Sequence, residues 1–576
     1  MRLRHRIPVR IRHYWKFLAG CLAFLLVLTV TLSTVRIRPY VTSSSDTGGG
    51  QVTQDIAGTV DLFDETVAHS ITLVFRDADY ERMLDAFSDD GEKEYVEADL
   101  TIDGTTLPSV GIRLKGNSTL AGLTRDGETA RRGGPGGQGG PGAGQPGGPG
   151  GQERQGGARG GMPRGAAAPD GVTVPDGAGR GAVIGGGFSR AALKAEEPET
   201  LPWLIRFDEY VDGRRYQGHR EIAVRVAGMG GGSTVLNEAV TLNLLAAAGE
   251  VTQEYAYTSF TVNDRPTTAR LVVEHPDEHF AEDFDGAGVL YKSLATGRFT
   301  DQGDDPIDYA DDFKQITMKG SQDLQPVIDL IRWVDGASDA EFDEQLADRV
   351  DVESLARYVA WQNLLLNFDD MSGPGRNYYL WYDLTSKKFS VIGWDYNLAL
   401  SGDATQGPHE QGRLGGGFRG GGDQGDRDRA GGTEPDAGLP DGFTPPEGFT
   451  PPEGFTPPEG FTPPEGFTPP DGTTGPGGNA GPGGNAGPGG GGHKLKERFL
   501  ASEKFKQVYE AAYRDLYQEV YASGAALDAV DAITKVLATV DGYDAAAAGS
   551  DAESLRTLIG QRTESLASNE VITQSG

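Results

Sequence analysis

Cysteine is nearly missing from this chain: there is one, Cys21, inside an apolar N-terminal run. That excludes a disulfide within the chain and a thiolate metal centre, and leaves the redox compartment unread. Histidine is scarce, with 8 residues, and the sequence is read as having no zinc site. Basic residues are outnumbered, 52 Lys and Arg against 84 Asp and Glu, for a formal net charge of −32. A chain so acidic gains nothing from counterion release on a polyphosphate backbone, so nucleic acid is not an expected partner. No Gly-x-Ser-x-Gly elbow occurs, which sets aside the usual α/β-hydrolase, and neither His-Arg-Asp nor Asp-Phe-Gly is present.

Long uncharged apolar runs are also rare. The exception is residues 17–35, FLAGCLAFLLVLTVTLSTV. At helical rise this run spans roughly 30 Å, one bilayer core. Arg2, Arg4, Arg6, Arg10, Arg12 and Lys16 precede it, and Arg36 and Arg38 follow. The bias of positive charge predicts a single-pass anchor with residues 1–16 cytoplasmic and the remainder outside the cell membrane. A cleaved signal peptide is the alternative, but the run is long and no small-x-small site closes it. Cys21 lies too early in the run for a lipoprotein box and is read as lipid-facing.

Glycine and proline, by contrast, are abundant, 86 and 33 residues, concentrated in two tracts at 126–188 and 402–492. The second contains five GFTPPE-like units from Gly442 to Asp471. Such compositions bury too little apolar surface to fold, and two prolines per six residues exclude helix and interior strand. Both are expected as disordered insertions, tolerable because closing a longer loop adds little entropy cost. Residues 36–60 are polar and read as a stalk.

The rest has globular patterning. SITLVF (70–75), YVEADLTID (95–103) and VGIRLKG (110–116) read as strands, with a helix between the first two. Residues 203–226 and 255–275 read as hairpin regions, the latter turning at Asn263 and Asp264. Residues 234–249 form an amphipathic helix closed by Gly249. Helices are expected at 322–334 and 351–367, two strands at 377–400, and three helices near 494–522, 525–540 and 551–567.

Three polar clusters sit at element ends. They are Arg113–Ser118, then Asn367–Asp370 with Asn377, then Trp394–Asn397 closing the strand FSVIGW. An Asp at a helix end, an Asn eight residues on, a hairpin and a strand-end Asp are the parts a phosphotransfer site needs. One carboxylate faces the acceptor hydroxyl, while an Asn and a second Asp hold magnesium. The same spacing also suits Asp residues that merely cap turns.

VGIRLKGNSTL (110–120), LVVEHPDEHF (271–280), GVLYKS (288–293), the Asn367–Asp383 run with NYYLWYD, and GWDYNLAL (393–400) resemble the motifs of the CotH (spore coat protein H) kinase family. So do LKERFLASEKFKQVYEAAYRDLY (495–517) and LIGQR (558–562). The resemblance covers about 61–120, 200–400 and 493–567. It implies a mixed α/β, atypical protein-kinase-like fold, split into 61–125, 189–401 and a C-terminal helical segment at 493–567. It also implies ATP and Mg2+ as cofactors and a protein with Ser/Thr acceptors as substrate.

By motif, Asp369 takes the catalytic-loop role, and Asp395 and Asn377 are the expected metal ligands. Lys115 and Asn117 lie in the expected phosphate-binding turn. By kinase order, Arg225 stands where a lysine is usual, Glu238 on the next helix is its partner, Glu274 and His275 lead into the hinge, and Lys292 is a further phosphate contact. An ordinary ion pair is the other reading of each. Asn397 departs from the family's W-D-x-D, so a catalytically inactive envelope or adhesion protein is the alternative function.

Overall fold

The computed structural model describes residues 52–116, 119–130, 193–227, 232–410 and 492–574, together with two short strands at 183–184 and 188–189. The expected anchor, both tracts over most of their length, and Asn117 lie outside the described residues. Everything below concerns the described residues. Among the described residues no helix is long and apolar enough to cross a membrane.

The N-terminal half is a closed seven-stranded barrel. Its strands are β1 (His69–Phe75), β2 (Val96–Ile102), β3 (Thr105–Leu114), β4 (Trp203–Arg206), β5 (Glu221–Val224), β6 (Tyr255–Val262) and β7 (Thr268–Glu274). They run around the barrel in the order β5-β7-β6-β1-β2-β3-β4, with β4 returning to β5. All neighbours are antiparallel except β6 and β1. Alternation causes this: Ile71, Leu73 and Phe75 on β1, and Val96, Ala98, Leu100 and Ile102 on β2, point inward and are buried. Helix α1 (Asp77–Asp89) covers one end with Tyr80, Met83, Leu84 and Phe87, an i, i+3, i+4, i+7 stripe. The chain pairs earlier than the expected stalk boundary, because Gln54–Ile56 lies parallel to Arg214–Tyr216.

Helix α2 (Leu236–Ala247) follows β5. The expectation of an amphipathic helix needs correcting: Leu236, Asn237, Glu238, Ala239, Val240, Thr241 and Leu242 are all buried, so the helix is enclosed on nearly every side. A four-stranded antiparallel sheet comes next, built from β8 (Gly288–Ser293), β9 (Phe313–Gln315), β10 (Tyr378–Asp383) and β11 (Phe389–Gly393) in the order β9-β8-β10-β11. Tyr378 and Leu380 enter the large core on one face, and Tyr379 and Trp381 a smaller core on the other.

The helices are α3 (Gln325–Gly336), α4 (Asp339–Gln345), α5 (Val352–Leu364), α6 (Lys494–Ala501), α7 (Glu503–Tyr517), α8 (Ala525–Leu537), α9 (Ala545–Ala567) and α10 (Glu570–Thr573). The single helix expected at 494–522 is broken where Ser502 caps α7 with its hydroxyl. Phe505, Tyr509, Tyr513 and Tyr517 put α7 into the same core as α5. Trp361, Leu364 and Leu365 lie buried in that core just before Asp369.

Candidate functional site

Strand β11 ends at Gly393, and the next two residues make the centre of the site. A Cβ at Gly393 would lie 1.6 Å from the Tyr396 hydroxyl, so only glycine lets Tyr396 fold back under the strand. Asp395, caught in that reversal, takes φ +58°, in the left-handed region. Such a conformation costs a non-glycine residue about 1–3 kcal/mol, and strain of this kind gathers at functional sites.

Three cations from three elements ring the buried Trp394. Lys292 Nζ, from β8, is 3.9 Å from the indole centroid. Lys115 Nζ, just past β3, is at 5.1 Å, and the Arg225 guanidinium carbon, just past β5, is at 6.0 Å. His275 meets the same indole edge-on at 5.6 Å and pairs with Glu221 through Nδ1 at 3.2 Å. Arg225 donates to Glu238 Oε1 at 2.5 Å, and its other terminal nitrogen is 3.0 Å from Asp395 Oδ1. The pairing expected between Arg225 and Glu238 is therefore present.

Three cations here share the enclosure with the carboxylates of Glu221, Glu238 and Asp395. Loss of surrounding water, then repulsion from Lys115, pushes Lys292 down to about 7. Loss of water, then Arg225, pushes Lys115 down to about 8. Enclosure pushes Asp395 up, but Arg225, Lys115 and Lys292 outweigh it and hold the carboxyl below its ordinary value.

The catalytic-loop candidate lies beyond α5. Asn367 bonds Gln362 at 2.8 Å and accepts the Asp369 N–H at 3.3 Å. Asp369 accepts from the Gly375 N–H at 2.5 Å and from the Asn377 amide at 3.1 Å. A Cβ at Gly375 would lie 2.6 Å from that carboxylate, so glycine permits the backbone to wrap it. Burial raises Asp369 to about 6, with the charge of Asp395 adding to the rise. The neighbouring Asp370 is instead neutralised by Lys496 of α6. Sequence reasoning placed Lys496 in a family motif but did not give it that partner. Of the two consecutive aspartates, only Asp369 keeps a carboxylate without a cation among the described ion pairs.

One expectation needs correcting. Glu274 is not brought to this group. Side chains alternate on β7, so His275 faces Trp394 while Glu274 is buried with His219, whose Nδ1 is 3.5 Å away, and near the backbone N–H of Glu254. Burial raises Glu274 to about 7, with Asp283 adding to the rise. Its folded value thus exceeds its ordinary 4.5, so the stability it contributes is present below that pH and is lost as pH rises through about 7. Glu274→Gln is expected to raise Tm by several degrees near pH 8 and to change it little near pH 5, as read by thermal scans at both. His275 and His279 do stand four apart, the spacing a helix turns into a zinc pair, but they leave a strand. His279 packs on His219 and pairs with Glu282. Among the described residues no three His, Cys, Asp or Glu side chains gather as a metal-binding group.

No curated protein matches the chain. A family model described as CotH kinase protein matches residues 186–436, which hold Arg225, Glu238, Lys292, Asp369, Asn377 and Asp395. The stretch that carries the site is thus similar to a CotH kinase domain.

Proposed function

We propose that the chain is an atypical membrane-anchored protein kinase that transfers the γ-phosphate of ATP to Ser or Thr of an envelope or coat protein. The observation that carries this reading is the ring of Lys115, Lys292 and Arg225 around Trp394 and Asp395 in a chain of net charge −32. Buried cations from three elements converging on one indole call for an anionic ligand, and a polyphosphate supplies one.

The donor set suits magnesium, a hard ion that takes few protein oxygens and leaves the rest to phosphates and water. Asp395 Oδ1 is enclosed yet accepts no well-directed hydrogen bond, and the Asn377 amide nitrogen is turned to Asp369. Asp395 and Asn377 would hold the ion, whose chemistry is neutralisation of phosphate charge. Lys115 and Lys292 hold phosphate oxygens. Asp369, with a proton affinity near neutrality, takes the proton of the acceptor hydroxyl as its oxygen bonds to phosphorus and the bond to the leaving ADP oxygen breaks. In this reading residues 17–35 anchor the chain and the domain lies outside the membrane.

Calorimetric titration of the chain with Mg·ATP tests the reading. The wild type is expected to bind. Lys115→Met with Lys292→Met should weaken binding by at least about a hundredfold, since two charge-assisted contacts are lost. A wild type that binds no nucleotide overturns the proposal. That outcome leaves a catalytically inactive scaffold, favoured by one observation: Arg225 already occupies Asp395.

A further inference from the structure

Helix α2 is tied to the site at its first turn. Glu238 holds Arg225, which reaches Asp395. Asn237 donates through its amide to the carbonyls of Asn397 and Ala399, at 2.9 and 3.0 Å, just beyond Asp395. Whatever sets the position of this turn therefore sets both Arg225 and the strained segment after β11.

The helix does not start from a side-chain cap of its own. Val235 at its head has φ +56° and provides no capping group. The residues before it are held from the far end of the chain. One carboxylate oxygen of Asp551, in the first third of α9, accepts from the Ser233 N–H at 2.8 Å and hydroxyl at 3.3 Å. It also accepts from the Thr234 N–H at 2.9 Å and hydroxyl at 2.7 Å. The Thr234 carbonyl accepts from Tyr257 of β6 at 2.9 Å. Four donors on one oxygen are more than a capping contact needs, and the accepting carboxylate comes from a helix beyond the family match at 186–436. The remaining α2 surface packs on α8 and on α9 itself.

We infer that Asp551 is a positioning residue: through the Ser233–Thr234 clamp it sets the first turn of α2, and so places Arg225 and the Asp395 segment for phosphate transfer. The inference rests on the kinase reading for its catalytic consequence but not for its mechanical one. A mere surface cap would steady residues 232–235 and nothing further. A positioning residue must also steady residues 395–400, which it does not touch.

The full chain is compared as wild type, Asp551→Ala, Asp551→Asn and Thr234→Val. Amide hydrogen exchange is followed by mass spectrometry without nucleotide. Asp551→Ala should speed exchange about tenfold in 236–240 and also in 395–400, with the β1–β3 amides unchanged. Thr234→Val, which loses one hydroxyl donor, should show a smaller change in the same segments. Asp551→Asn, which keeps an acceptor oxygen, should restore most of the protection. With Mg·ATP and a Ser/Thr peptide, Asp551→Ala should lower kcat about tenfold while KM for ATP moves less than about threefold. Faster exchange confined to 232–235 in both Asp551→Ala and Thr234→Val overturns the inference. A wild type without transfer defeats the kinase reading alone, because the exchange result stands apart from it.

Discussion

Asp395→Ala is expected to abolish the dependence of ATP binding on magnesium and to cut phosphate transfer by more than about a thousandfold. The reason lies in what surrounds the carboxylate. Lys115, Lys292 and Arg225 all bear on it, and it is the group that offsets their charge next to Trp394. Removing it leaves the cations in place. The variant should therefore still bind ATP, and should bind it equally well with or without magnesium. Wild type, in which the carboxylate repels the bare polyphosphate, should show a marked preference for the magnesium complex. Paired titrations with Mg·ATP and with ATP in excess chelator read the difference. A variant that retains the wild-type magnesium preference would remove Asp395 from the metal site. Asp369→Ala should behave in the opposite way, keeping magnesium-dependent binding while losing turnover, because Asp369 faces the acceptor.

The largest loss of stability is expected at Arg562, far from any phosphate. Its side chain is 1% exposed and has no carboxylate within ion-pair distance among the described residues. It is spent on oxygens instead. One terminal nitrogen donates to the carbonyls of Ala404 and Gln406, the other to the Asn363 carbonyl, the Asn363 side chain and the Tyr513 hydroxyl. Asn363 lies on the last turn of α5, and Tyr513 on α7. Arg562→Ala would orphan these acceptors and open a void, costing about 3–5 kcal/mol and about 6–12 °C in Tm. Arg562→Lys should recover little, because an ammonium cannot reproduce the planar fork. Differential scanning calorimetry reads both, and a change of less than about 2 °C in Arg562→Ala would contradict the assignment.

What the sequence showed and what it hid divide along physical lines. Alternation made β1 and β2 readable, since each has a buried face and period two, whereas β10, buried on both faces, was readable as a continuous apolar run. It could not show that β6 lies parallel to β1, or that β4 returns to β5 to close a barrel. Those are pairings between distant segments, and no local pattern encodes them. The ends of elements carried the site: Asp369, Asn377 and Asp395 were marked by residue type and by position after a helix or strand. Lys115 was marked by its turn motif and Arg225 and Lys292 only by order along the chain, and a shared indole is a fact of three dimensions. Glu274 failed because a one-residue step on a strand reverses the face. Asp551 gave no signal at all. An acidic residue in an exposed helical turn is ordinary until the loop it holds is seen.

The barrel has a consequence for where this domain can be cut. The family match begins at residue 186, after β1, β2 and β3. A polypeptide trimmed to the matched span would keep four staves of seven, β4 to β7. Strand β4 would lose β3, and β6 would lose β1, so both would present bare rows of N–H and C=O to solvent. Its apolar inner faces, Trp203, Ile205, Ile222, Val224, Phe260 and Val272, would lie open like the inside of a broken cask. Such edges invite pairing with other copies. The unit of homology and the unit of folding are therefore different lengths of chain here, and the shorter is a recipe for inclusion bodies.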